Sequence, residues 1–242
     1  MWVPGINIHR TPYGGRTHEY FSEAPYLTGT AAAAEIQGIQ TYGVIAYPKH
    51  FVFNDQKANR NGIAIWMNEQ EAREIILRPW LYTCGPSRGY AHGVMSSFNR
   101  AGNFWTSAAD TLVNGILRDE FGFNGIIITD MADANGTVYM SCVDGITAGT
   151  DIWLSSGKDH SFMQYRNNAT VVNAMREATK RVMYNVVNYS AAMNGVSDTM
   201  RIERVYTWWE YAVIGVLALT AILTLVSVIN LAVAKGKEKK KA

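Results

Sequence analysis

At 242 residues, 48% of them apolar and 17% charged, the chain is long enough for one large folded domain plus an appendage and too apolar for global disorder. Its 22 Lys and Arg against 20 Asp and Glu leave a formal charge of +2, with the C-terminal basic residues gathered in one run, so no nucleic-acid partner is expected. Cys84 and Cys142 stand far apart without ligand or redox spacing, which argues against a metal centre or a disulfide framework.

In chain order, short apolar runs alternate with polar loops and helical patterns, the rhythm of βα units. The runs are WVPGINI (2–8), GVIAYP (43–48), HGVMSS (92–97), GIIIT (125–129) and DIWLSS (151–156), and they read as parallel strands buried on both faces. Asn68, three residues before Glu71, predicts the start of one helix, NEQEAREIILRPW. Ser107, three before Asp110, predicts the start of another, SAADTLVNGILRDEF, and a later helix is expected over about 168–193. Five such units fall short of an eight-stranded barrel, which takes about 250 residues.

From Tyr211 to Ala234 no residue is charged, over more than the roughly 20 positions that cross a bilayer. Trp208, Trp209 and Tyr211 mark one boundary and the run KGKEKKKA the other. The expected organisation is therefore a folded part over 1–195, a juxtamembrane linker over 196–210, a transmembrane helix over 211–234 in contact with the lipid bilayer, and a basic tail over 235–242. Lys235, Lys237, Lys239, Lys240 and Lys241 outweigh Glu238, which orients the tail to the cytoplasm and residues 1 to about 207 outside a cell membrane crossed once. MWVPGINIHR has no export-signal pattern, so earlier sequence carrying one is expected upstream.

Groups capable of chemistry follow four of the runs: Arg10 the first, Lys49 and His50 the second, Phe98, Asn99 and Arg100 the third, and Asp130 the fourth. In parallel α/β folds the site lies at the carboxyl ends of strands. Taken singly, Lys49 also fits a solvated charge, His50 a core histidine and Asp130 a helix N-cap. Together they point to one site.

The segment PGINIHRTPYGGRTHEYFSEAPYLTG (4–29) resembles the N-(I/L)-x-R-x-P-x-x-G-R-x-x-E-x-(F/Y)-S-E-D-P block of the family 3 glycoside hydrolases. GVIAYPKHFVFNDQKANRNG (43–62) is similar to their K-H-F-x-x-N-D-Q-x-x-x-x-R block, and GVMSSFNRAG (93–102) and LRDEFGFNGIIITDM (117–131) to two further blocks in the same order. The resemblance covers about residues 1–190. It implies an α/β fold, the later part of a (β/α)8 TIM-type barrel, and a retaining, exo-acting β-glucosidase activity on a β-glucoside or oligosaccharide, with no cofactor. Asp130 stands at the nucleophile's position. By the same match Arg10, Lys49 and His50 bind the hydroxyls of the cleaved sugar, Phe98 stands where many members have a tyrosine, Arg16 and Glu19 pair to shape the loop, and Arg60 supports the Lys-His segment. Cationic Lys49 and Arg10 near Asp130 are expected to hold it ionised. Trp66, Trp105 and Trp153 are candidate stacking faces for a pyranose.

Three departures narrow these expectations. The family's earlier strands and their sugar-binding aspartate have no counterpart here. No acid/base residue is selected among Glu23, Asp55, Asp133 and Asp159, so an upstream barrel segment or an accessory domain is expected to supply it. The family's S-E-D reads Ser22, Glu23, Ala24, and Met131 replaces an aromatic residue after the nucleophile. The alternative from a different class is a non-catalytic, membrane-tethered carbohydrate-binding remnant of such an enzyme.

Overall fold

The computed structural model describes residues 1–60, 63–132, 140–155, 162–193 and 203–238. The chain divides into two compact units, Met1–Gly195 and Val196–Ala242.

The first unit is built on a parallel sheet of β1 (Lys49–Phe51), β3 (Gly93–Ser96), β6 (Ile126–Met131) and β7 (Ile152–Leu154), in that spatial order. Gly5 adds a fifth parallel track through a single bridge to Lys49. β6 sits between β3 and β7, pairing Ile127 with Val94 and Ile128 with both Met95 and Ile152. A strand paired on both sides and covered on both faces must be apolar throughout, which is what three consecutive isoleucines provide. Gly93 starts β3 because the Tyr47 ring lies 2.5 Å from where a Cβ would stand.

Helices α1 (Pro25–Gln40) and α3 (Arg78–Cys84) pack together over one face. Their core joins Ile36, Leu77 and Trp80 to Phe51 and Val94, with Trp80 edge-on to Phe51 at 5.0 Å. Short α2 (Glu69–Glu71) runs into a π-helical turn, Ala72–Ile76, and Asn68 caps it by accepting the Glu71 amide at 2.8 Å, as expected. Ser107 does not cap the next helix: it is buried in a 3-10 turn, and the π-helical stretch Thr111–Glu120 begins after Asp110. The short α4 (Cys142–Thr147) packs on α5 (Ala169–Tyr189), whose N-cap Asn168 accepts two backbone amides. Trp153 packs against Phe162 in a second apolar cluster here, which takes it out of the candidate stacking faces.

At the amino ends of β6 and β7, the fully buried side chain of Asp151 ties the elements together. It accepts from the Ile127 amide at 2.8 Å, from Arg118 at 3.0 Å and from Arg181 of α5 at 2.6 Å. Arg118 also donates to the carbonyls of Gly125 and Gly149. Two-residue strands β2 (Ala64–Ile65), β4 (Arg100–Ala101) and β5 (Phe104–Trp105) form a separate small sheet.

Two of the expected strands move. Residues 43–48 are not a strand; the pairing starts at Lys49, so Lys49 and His50 lie within β1 rather than after it. Residues 2–8 contribute only the Gly5 bridge, although the Asn7 side chain completes the pairing by exchanging hydrogen bonds with the His50 amide and carbonyl, at 2.9 and 3.1 Å.

In the second unit, α6 runs from Trp208 to Glu238, and its stretch Trp208–Asn230 is long and apolar enough to cross a membrane, with a mean hydropathy of 2.7. At its start the Glu210 carboxylate reaches back to Thr207, accepting from its amide at 2.8 Å and from its hydroxyl at 3.0 Å.

Candidate active site

Two irregularities in the sheet build the site. On β1, Lys49 and Phe51 face successive residues of β3, so one residue is extra, and the break in alternation buries both His50 and Phe51. On β6 a similar shift falls between Ile128 and Met131 opposite β7. There the Thr129 hydroxyl accepts the Leu154 amide at 2.9 Å, and Asp130 turns inward with only 8% of its surface exposed. Bulges re-aim side chains next to functional sites. Here they bring His50 Nε2 to within 3.3 Å of Asp130 Oδ2, although β3 separates their strands.

Around this pair lies a chain of charges. Arg16 Nη1 is 2.9 Å from His50 Nε2, and Arg16 Nε donates to Glu19 at 2.6 Å. The other Glu19 oxygen holds Lys49 Nζ at 2.9 Å. Arg16 reaches the site because the loop before it reverses at Gly14 and Gly15. Gly15 has a φ of +84°, and a Cβ there would lie 2.9 Å from the Cβ of Lys57.

The electrostatics follow from burial. Glu19 loses solvation, but hydrogen bonds from Lys49 and Arg16 outweigh that and hold its carboxyl below the usual range. Burial, reinforced by the charges of Arg16, Lys49, Arg60 and Lys57, pushes His50 well below the ordinary histidine value, so it is neutral at neutral pH. Its Nε2 can accept from Arg16 or donate to Asp130, not both at once; the tautomer decides. Asp130 is shifted upward by burial, against the opposing pull of the Met131 amide at 2.8 Å and the charges of Arg60, Arg16 and Lys57.

Of the residues singled out in the sequence, Asp130, His50, Lys49, Arg16 and Glu19 come together. Arg10 does not join them: its guanidinium pairs with Asp55 at 3.4 Å. The expectation that Lys49 and Arg10 keep Asp130 ionised is corrected: the cations that pull hardest on it are Arg60, Arg16 and Lys57, and burial outweighs them, raising its carboxyl. Lys57 escaped notice in the sequence; burial brings its own value down to about 8. Phe98 is 1% exposed, and the Arg60 guanidinium covers its ring at 3.7 Å, so it offers no open face to a sugar. Trp105 lies 5.3 Å under Arg100, whereas Trp66 is largely exposed. Among the acid candidates, Glu23 is exposed and accepts from Ser22, Asp55 is buried beside Arg10, and Asp133 and Asp159 lie outside the described residues. No cluster of metal-ligating side chains occurs among the described residues.

Residues 1–189 match the model of the glycosyl hydrolase family 3 N terminal domain. The chain belongs to glycosyl hydrolase family 3. Among its relatives, a β-glucosidase of Ruminococcus albus is 38% identical over 61% of this chain and 17% of its own length. A β-glucosidase of Bacteroides ovatus is 31% identical over 78% of this chain and 25% of its own. The structure of β-glucosidase 3B from Thermotoga neapolitana in complex with glucose superposes with a TM-score of 0.71 at 28% identity, over 77% of this chain and 27% of that one. A β-glucosidase from Paenibacillus barengoltzii gives 0.72 at 29% identity, over 84% and 23%. The parallel sheet thus resembles the TIM-barrel part of the family 3 N-terminal domain, and the chain spans about a quarter or less of the length of these relatives.

Asp55 gives a pH test of this electrostatic picture. Burial, opposed by Arg10, raises its carboxyl from 3.8 to about 6. The folded form therefore holds that proton more tightly than the unfolded one. The stability from this group is full below about pH 4 and is lost as pH rises toward about 6, by roughly 3 kcal/mol at ~1.36 kcal/mol per unit. Asp55→Asn should flatten the urea-unfolding free energy between these pH values, read by tryptophan fluorescence of the full chain in detergent. A slope equal to that of the unsubstituted chain contradicts it.

Proposed function

We propose that residues 1–195 carry the sugar-cleaving centre of a retaining, exo-acting β-glucosidase with Asp130 as nucleophile. The observation that carries this reading is the Asp130 carboxylate, sunk at the tip of the central strand 3.3 Å from His50 and within the field of Arg60, Arg16 and Lys57. Support for the substrate class comes from the β-glucosidases among the relatives and from the glucose in the Thermotoga neapolitana complex.

In the proposed reaction an Asp130 oxygen attacks the anomeric carbon as the bond to the leaving oxygen breaks, forming a glycosyl ester. A protonated acid about 5–5.5 Å from the nucleophile delivers its proton to that oxygen, then as a base takes one from the water that hydrolyses the ester. We assign this acid to a segment or domain beyond the residues of this chain. Arg16, with Lys49 and His50, anchors the sugar hydroxyls, because Arg10 is engaged by Asp55 and Arg16 stands against His50. Charge-assisted hydrogen bonds make this set suited to orienting a neutral polyol.

The same proposal gives residues 196–210 the role of a linker, 211–234 that of a single membrane span and 235–242 that of a cytoplasmic tail, with the sugar site outside. Its support is the apolar stretch Trp208–Asn230 together with the lysine run after it. Extraction with alkaline carbonate should leave the full chain in the membrane pellet and release one cut after residue 207; release of the full chain counts against a span.

Catalysis is tested with 2,4-dinitrophenyl β-D-glucoside, whose phenolate departs without protonation, so that attack by the nucleophile is read even where the acid is missing. The full chain should give a burst of dinitrophenolate, and Asp130→Asn should slow it by about 10³-fold or more. An undiminished burst from Asp130→Asn contradicts the assignment. Glucose binding by calorimetry with no burst at all favours a carbohydrate-binding remnant instead.

A further inference from the structure

Three stretches without a charged side chain, 1–8, 36–48 and 182–193, meet at the amino end of β1. The Tyr47 amide donates to the Met1 carbonyl at 2.8 Å, and the Ala191 amide, just beyond α5, donates to the Gly43 carbonyl at 2.7 Å. Gly43 has a φ of +68°, and a Cβ there would stand 2.6 Å from the Cβ of Ala191, so a glycine is needed for the two segments to close. What these segments leave in the open is apolar: Tyr42 is 81% exposed, Val187 57% and Trp2 50%, and Val44, Met183 and Met193 are exposed as well. Met183 and Val187 lie four apart on α5 and so share one face. Single exposed apolar residues are ordinary, but a set carried by three joined segments marks a surface that meets something other than water.

We infer that this face lies against the surface of a lipid bilayer, an inference that rests on the proposed span at 211–234. Two observations select lipid. The first is the path of the chain: Ala191 is bonded to Gly43, the first unit ends at Gly195, and α6 starts at Trp208, so the connection to the proposed span leaves from this face and is short. A short tether keeps what it is anchored to at high effective concentration around its point of departure. The second is composition. An indole and a phenol, each an apolar body with a polar tip, stand among aliphatic and thioether side chains, the mixture that favours the headgroup boundary of a bilayer. With no charged side chain in the three stretches, the face has nothing that selects anionic headgroups, and its binding follows the apolar area it buries.

Asp130 stands at the other end of the same parallel sheet, near the carboxyl end of β6. Lipid contact on the amino-end face therefore turns the proposed sugar site toward the water, where a substrate reaches it without passing between protein and bilayer. The contact takes no part in the chemistry. It sets the direction in which the Asp130 cluster is presented.

The test uses the full chain in phosphatidylcholine vesicles with a nitrobenzoxadiazole label on Tyr42→Cys, Val187→Cys, Tyr13→Cys or Leu219→Cys; the native Cys84 and Cys142 are buried. Tyr13, exposed in the loop that carries Arg16, is the reference for water, and Leu219 is the reference for the span. Phosphatidylcholine with a nitroxide near its headgroup should quench the labels at 42 and 187 at least about twofold more than the label at 13. With the nitroxide deeper in the acyl chain, the label at 219 should be quenched. Equal quenching at 42, 187 and 13 overturns the lipid contact, and with quenching at 219 it leaves the span standing. Quenching at 42 and 187 but not at 219 supports the contact and counts against the span. Self-quenching between labels that grows with the protein-to-lipid ratio, without quenching by either nitroxide lipid at 42 and 187, assigns the face to a second copy of the chain and overturns the contact.

Discussion

A carboxylate buried at the end of an apolar strand is the constraint around which this molecule is arranged. Asp130 gives up most of its solvation, and the strand that carries it can supply only the Met131 amide in return. Desolvating a charge is costly unless fixed dipoles and opposite charges replace the water. The loop at 10–19, the bulged strand β1 and the segment that follows it deliver part of that replacement: Arg16, Lys57 and Arg60 act on Asp130 from sequence positions spread over some 45 residues, though burial still outweighs them. Glu19 prevents this concentration of positive charge from repelling itself, since it binds Arg16 and Lys49 together. The site is therefore a set of interlocked pairs, each of which needs the others in place.

Holding such an arrangement requires strands that do not slide. At the opposite end of the sheet, Asp151 anchors β6, the π-helical stretch 111–120 and α5 through one amide and two guanidiniums. The division follows the logic of parallel α/β architecture, with stability built at the amino ends of the strands and reactive groups at their carboxyl ends. The same central strand, β6, links the two, running from the Ile127 amide bound by Asp151 to Asp130.

Much of this was legible in the sequence where the signal is local. GIIITD marks a buried strand ending in a carboxylate, and the uncharged stretch after Tyr211 stands out by hydropathy alone. Asn68 is readable as a helix start because a cap acts within three residues, although the same local pattern at Ser107 falls in a buried 3-10 turn and caps nothing. Most of what failed depends on contacts distant in sequence. Arg10 follows the first run and so reads as one of the site residues, but the turn at Gly14 and Gly15 brings Arg16 back to His50 while Arg10 meets Asp55. The strand expected at 43–48 begins only at Lys49, where the pairing with β3 starts. Strands β2, β4 and β5, at two residues each, are too short for any period, and with them the setting of Trp66 was hidden. Lys57 was missed because nothing in its neighbours announces a field at Asp130.

The central claim is that Asp130 becomes covalently bonded to sugar during turnover, and a slow-turnover substrate tests it directly. The full chain, incubated with 2-deoxy-2-fluoro-β-D-glucosyl fluoride and digested with protease, should yield one peptide heavier by a single fluoroglucosyl group. Fragmentation should assign that group to Asp130. Attachment to any other carboxylate, or the same stoichiometric label on the Asp130→Asn protein, would contradict the account.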